Sequence, residues 1–381
     1  MFCVMAVQTG YFSLMLSRQG YSESAIGQVA TITGCVSLIM PTILGRLCDR
    51  RQLQKTLFIL AAVIGPLAYA GIQKTNSFAA VVFWAMMFYG FCLGPQSIPS
   101  GWVALLNSQG RNIDFGFTRS FGSLSFAVFS VILGVIVEKY TVSSLPAILL
   151  LFGVITAVCA CLLPKPEKQA DQEVKKEKAD GFGKTMKALL TNKPYLMLLL
   201  VTLLFNIPNG SYNTYFSVFF VQMGGTESAL GIALFVLAIV EVPVMFFYSK
   251  LEKKFGVTWL LALSALGYGL KNLLLSFAPN LVTVVACLTL QVLGLALSVP
   301  ACQSFVAACT PVKYSSTAQT FQASIQSLGF VLANLLCSWL VNFVDLRALL
   351  RITSYFGFAG ALLFVVSVCL PAKKRGGIDK L

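Results

Sequence analysis

The chain has 381 residues, of which 57% are hydrophobic and 11% charged, with a formal net charge of +14 and a mean hydropathy of +0.80. A soluble chain of this length folds into two or three domains with about a quarter of its residues charged, and this composition cannot cover such surfaces. It excludes a soluble globular enzyme, a disordered chain and a disulfide-stapled secreted domain, and fits a protein whose solvent is mostly lipid.

A spanning helix needs about 20 apolar residues. The predicted spans are Met1–Leu16, Ile26–Leu47, Thr56–Ile72, Phe78–Leu106, Asp114–Val137 and Leu145–Leu163, then Tyr195–Val221, Leu230–Leu251, Thr258–Phe277, Leu281–Cys309, Thr317–Phe343 and Ala348–Leu370. The expected fold class is thus an all-α membrane protein with 12 transmembrane helices in two six-helix bundles. The bundles are 1–163 and 195–371, joined by a Lys/Glu-rich cytoplasmic linker at 164–194 and followed by a tail at 372–381. A short amphipathic piece is expected near Phe182–Leu190 in the linker.

Loop charges orient the spans. Of 28 Lys and Arg, 21 fall in the tail and in the loops after spans 2, 4, 6, 8 and 10. Only Arg18, Lys74, Lys139, Arg347 and Arg351 fall in the other loops, and Arg119 and Lys271 lie within spans. Both termini are therefore expected to be cytoplasmic, in the cell membrane. The net charge is a topology signal and not a nucleic-acid footprint.

Two chemical absences matter. There is no His, which removes His relays, most zinc sites and haem ligation. The 11 Cys lie almost entirely in apolar runs and read as packing residues, including Cys159 and Cys161, whose spacing puts them on different helix sides. No catalytic site, metal or cofactor is expected.

An internal repeat runs at an offset of 204. Tyr11-Phe12-Ser13, Gly20, Glu23-Ser24-Ala25 and Gly27 recur as Tyr215-Phe216-Ser217, Gly224, Glu227-Ser228-Ala229 and Gly231. Eight identities in seventeen ungapped positions mark a duplication, and the same offset pairs Gly90 with Gly294. Two halves running in the same direction form a parallel repeat around a central site near the midplane. The repeat also places the start of span 1 about nine residues before Met1, so a chain that begins upstream, or a trimmed first helix, is expected.

The loop Gly45-Arg46-Leu47-Cys48-Asp49-Arg50 resembles the G-x-x-x-D-R signature of the major facilitator superfamily. Asp114-Phe115-Gly116 with Arg119-Ser120-Phe121-Gly122 resembles the start of helix 5 in its lactose and phenylpropionate permease branch, of oligosaccharide:proton symporter type. Glu241-Val242-Pro243, Lys271 and Ala318-Gln319 match that branch as well. No His stands in Gln291–Gly294 and Gly101–Val103 is apolar, which separates the chain from a lactose-type site. The resemblance implies that Arg119 binds substrate through its guanidinium; the other reading is an Arg snorkelling to the headgroups. It implies a conformational latch at Gly45, Asp49 and Arg50, against a plain positive-inside loop.

Glu241 and Lys271 are mid-span charges that differ in depth by about 5 Å at 1.5 Å per residue. They read as a proton-coupling pair or as a static ion pair that fixes packing. Asn206, Asn209 and Asn213 form one polar stripe, and Gln319, Gln322 and Gln326 another. Each lines a wet cavity or bonds helix to helix. Gln8, Tyr212 and Gln291 join the candidate substrate-binding set, and Pro208 with Gly210 is expected to break helix 7 locally. The expected protein is a monomeric secondary transporter for a sugar, nucleoside or aromatic acid, with protons as partner. An uncoupled facilitator or exporter, or a non-transporting sensor, is the alternative.

Overall fold

The computed structural model describes residues 2–51, 54–93, 115–162, 182–311 and 314–369. All regular structure among them is helical. The long elements are α1 (2–18), α2 (Glu23–Arg51), α3 (Gln54–Lys74), α4 (78–93), α5 (Phe115–Tyr140) and α6 (Leu145–Leu162). They continue as α7 (Lys193–Gln222), α8 (Glu227–Phe255), α9 (Val257–Phe277), α10 (Leu281–Cys309), α11 (Ser315–Leu340) and α12 (Leu346–Cys369). The linker helix Phe182–Thr191 precedes α7. Nine described helical stretches are long and apolar enough to cross a membrane, and Ile59–Lys74 and Phe78–Phe91 are shorter apolar helices.

The exposure pattern is inverted relative to a soluble protein. Leu162, Phe246 and Val282 leave 79–80% of their surface exposed, whereas Asn206, Ser211, Asn272 and Thr353 are buried. Apolar side chains facing outward and polar ones facing inward suit a lipid solvent, in which an unpaired polar group is costly.

The chain forms two compact units. The first holds 1–167 with 213–239 and 334–343; the second holds 168–212, 240–333 and 344–381. These units and the two sequence repeats divide the chain differently, because α7, α8 and α11 each contribute to both units. In the first unit α5 packs on the opening segment of α8 at Gly231, where a Cβ would stand 2.5 Å from the Ser130 carbonyl. In the second, α9 crosses α12 at Gly269 and Gly357, where a Cβ on Gly357 would lie 2.7 Å from the Gly269 Cα. Without a hydrophobic drive between helices in lipid, such close backbone approach supplies the packing energy.

Several helices are irregular. α1 contains a π turn at Val7–Tyr11, α4 ends in one at Tyr89–Leu93, and α10 passes through a 3₁₀ turn at Thr289–Val292. α8 is interrupted at Val240, three residues before Pro243. Pro243 has no N–H for the Ile239 carbonyl one turn back, so the helix restarts at Glu241. The break expected in α7 is absent: that helix is continuous through Pro208 and Gly210. There the Ser211 hydroxyl and the Asn272 amide both donate to the Pro208 carbonyl, at 2.9 and 2.8 Å. Gly210 serves packing instead, since a Cβ there would come 2.6 Å from Ala333.

Candidate functional site

The second unit carries the mid-span charges. α9 approaches α10 closely because Gly267 lacks a side chain; a Cβ there would lie 2.6 Å from the Leu293 Cβ and 2.9 Å from the Gly294 nitrogen. One turn farther along, Lys271 is 1% exposed and its Nζ donates to Gln291 Oε1 at 2.7 Å. Gln291 sits on the 3₁₀ turn of α10 and is itself buried. The same Nζ stands 3.6 Å from the Tyr212 ring centroid and 5.7 Å from that of Tyr268. A desolvated ammonium over an aromatic face is held by the ring quadrupole. Glu241, the first residue after the break in α8, acts electrostatically on Lys271, Tyr212 and Tyr268. The break thus gives a carboxylate the N-terminal end of a helix, where the macrodipole favours negative charge.

Next to this cluster lies a cavity of about 340 Å³ between α7, α10 and α11. Its polar lining comes from Ser298, Gln303, Gln319, Gln322 and Gln326, with Phe205 as its aromatic wall. The Gln319 amide donates to the Gln303 carbonyl at 2.9 Å, and Gln322 is buried. Phe205 stacks on Tyr268 at 5.3 Å and 9°, and the Tyr268 hydroxyl meets Ser298 Oγ at 3.2 Å. Tyr268 therefore touches both places: its ring faces the lysine and its hydroxyl bonds a cavity-lining serine.

The other candidates fall elsewhere. Asn209 is buried and donates to Asn206 Oδ1 at 3.5 Å, while Asn206 donates to the Thr202 carbonyl on its own helix. Gln8 belongs to the first unit, where it neighbours the Tyr89 hydroxyl, and Asn213 is half-buried in that unit. Arg119 falls on α5, and Gly45, Asp49 and Arg50 on the last turns of α2, but their side chains lie outside the described residues. Asp114 and 94–106 also lie outside them. Sequence reasoning did not single out Phe205, Tyr268, Ser298 or Asn272. Only Asn272, a second polar residue beside Lys271, carried a signal that could have been read.

Comparisons with known proteins agree with this architecture. The MFS_1 like family profile matches residues 1–340. The chain is 28% identical over 367 residues to the uncharacterized transporter YwbF of Bacillus subtilis (strain 168), covering 95% of this chain and 88% of that protein. It is 24% identical over 352 residues to a maltose permease of Geobacillus stearothermophilus, covering 91% and 86%. Among solved structures, a mutant of the nucleoside transporter NupG superposes with a TM-score of 0.82 at 17% identity, covering 96% of both chains. At that identity the likeness speaks for the fold. With the profile matched over most of its length and an inside-out helical fold, the chain is a multi-pass membrane protein and belongs to the MFS_1 like family.

Proposed function

We propose that the protein is a secondary transporter that moves a small polar organic solute by alternating access, coupled to proton symport. Glu241 carries the proton and Lys271 is its partner. The observation that carries this reading is the shared wall: Phe205 lines the amide-lined cavity and stacks on Tyr268, whose ring faces Lys271. A solute that shifts this wall changes the surroundings of the charges, which is the requirement for coupling. Among the described residues the cavity lining carries no formal charge. That favours a neutral solute, a sugar or a nucleoside, over an aromatic acid. Glutamine side chains offer donors and acceptors together, which suits hydroxyl groups or a base edge, and Phe205 offers a stacking face. The resemblance to a maltose permease supports the sugar class.

The test is reconstitution. A thermal-shift screen of sugars and nucleosides identifies the solute, and an imposed pH gradient should then drive its accumulation in proteoliposomes. Glu241→Gln should abolish accumulation and leave solute exchange intact; a Gln variant that still concentrates solute refutes the assignment. An uncoupled facilitator is the second reading, favoured by how completely Lys271 is already held by Gln291 and Tyr212. It gives downhill flux that ignores the pH gradient.

A further inference from the structure

The 204-residue repeat reappears as paired contacts inside the first unit. Tyr11 donates to the Ser130 carbonyl at 3.2 Å and reaches the Glu227 carbonyl at 3.5 Å, while its repeat partner Tyr215 donates to the Glu23 carbonyl at 3.2 Å. Arg18 pairs with the Glu227 carboxylate at 2.5 Å, and Gln222, the residue 204 positions on, donates to the Glu23 carboxylate at 2.7 Å. Gly231 lies against Ser130 and Gly134 of α5, and Gly27 against Ser338 of α11, again 204 apart on both sides. Three contacts between α1, α5 and the start of α8 thus have counterparts between α7, α11 and the start of α2, where the Ser24 hydroxyl also donates to the Ser338 carbonyl at 2.8 Å.

The two copies differ in charge. The first has Arg18 on Glu227, and also Glu138, whose carboxylate accepts the Ser228 N–H at the start of α8 at 2.9 Å. The second has Gln222 in place of Arg18 and Asn342 in place of Glu138. Asn342 donates to the Ser338 carbonyl of its own helix at 3.1 Å. Replacing a guanidinium–carboxylate pair by an amide–carboxylate bond weakens the contact, and losing the carboxylate leaves the first N–H groups of the helix less well satisfied.

We propose that these contacts are two clasps that hold the first-half helices to α7, α8 and α11, and that they are unequal. The amide clasp at the start of α2 releases first, while the charged clasp at the start of α8 stays closed as the pivot. The proposal does not depend on which solute is carried or whether protons are coupled to it.

The repeat supplies its own control. Helix starts Glu23-Ser24-Ala25-Ile26-Gly27 and Glu227-Ser228-Ala229-Leu230-Gly231 are nearly the same peptide, so their intrinsic amide exchange rates match. Hydrogen–deuterium exchange of the full chain in lipid nanodiscs should show 25–27 exchanging about twofold to fivefold faster than 229–231, the range that an exposed ion pair supports. Arg18→Gln should raise exchange at 229–231 part of the way to the level of 25–27, since Glu138 still holds the Ser228 N–H, and Gln222→Arg should slow 25–27. Equal rates in the unsubstituted protein overturn the proposal. So does either substitution leaving its own segment unchanged.

Discussion

Replacing Lys271 by Met tests how the buried charge is held. A cation at membrane depth costs about 2.5–3.5 kcal/mol on insertion scales. Against this stand one hydrogen bond to a charged group, worth about 1.5–3 kcal/mol, and one desolvated cation–ring contact, worth about 2 kcal/mol. These are the 2.7 Å bond to Gln291 and the 3.6 Å approach to Tyr212. The favourable side exceeds the cost by about 0–2.5 kcal/mol, and Lys271→Met, which keeps the side-chain bulk and leaves only a neutral acceptor unpaired on Gln291, should cost less than Gln291→Leu. Gln291→Leu keeps the cation and removes its acceptor, and should cost about 2 kcal/mol or more. In a protein of this size 1 kcal/mol corresponds to about 1–2 °C in Tm, extending the size scaling of smaller domains. Thermal unfolding of the three proteins in one detergent should therefore rank Lys271→Met between the parent and Gln291→Leu, with Gln291→Leu about 3 °C below the parent. A larger loss in Lys271→Met than in Gln291→Leu would mean that the ammonium itself holds the helices together, and the reasoning fails.

Three further outcomes are expected. Tyr268→Phe keeps the stack on Phe205 but loses the hydroxyl contact with Ser298; uptake kinetics should show KM raised about threefold to tenfold, the value of one neutral hydrogen bond, with the maximal rate unchanged. Gln322→Ala should weaken solute binding about tenfold in a calorimetric titration, and Gln319→Ala much less, because the Gln319 amide is already engaged by the Gln303 carbonyl. Pro243→Ala restores the missing donor in α8, so helicity by circular dichroism and Tm should hold or rise, while pH-driven accumulation falls because Glu241 no longer starts a helix.

The helices were legible because lipid imposes a length and a composition on every span, and the duplication was legible because its identities fall at turns and close contacts. Lys271 and Gln291 stood out as polar groups at membrane depth, where each needs a partner. The Phe205–Tyr268 wall did not stand out. An aromatic residue in an apolar helix has the same local sequence whether it faces lipid, a neighbouring helix or a cavity. Proline was the other difficulty. Pro208 and Pro243 look alike in sequence, yet only Pro243 interrupts its helix. At Pro208 the α7 carbonyl is bonded by Ser211 of its own helix and Asn272 of another, contacts that only the folded structure shows.

The irregular turns and the polar residues of this protein are one feature seen twice. In lipid a helix that leaves the regular pattern frees backbone groups that no water can satisfy, so a distortion persists only where polar side chains stand near it. Gln8 lies on the π turn of α1 and neighbours Tyr89, the first residue of the π turn of α4. Gln291 lies on the 3₁₀ turn of α10, and Glu241 opens the restarted half of α8. Substituting these residues alters backbone geometry along with chemistry, so a loss of transport there has two causes. Gln322 differs, since it sits on the unbroken helix α11 and lines the cavity. No irregular turn depends on it, and a transport defect at Gln322 with unchanged stability therefore isolates solute recognition from architecture.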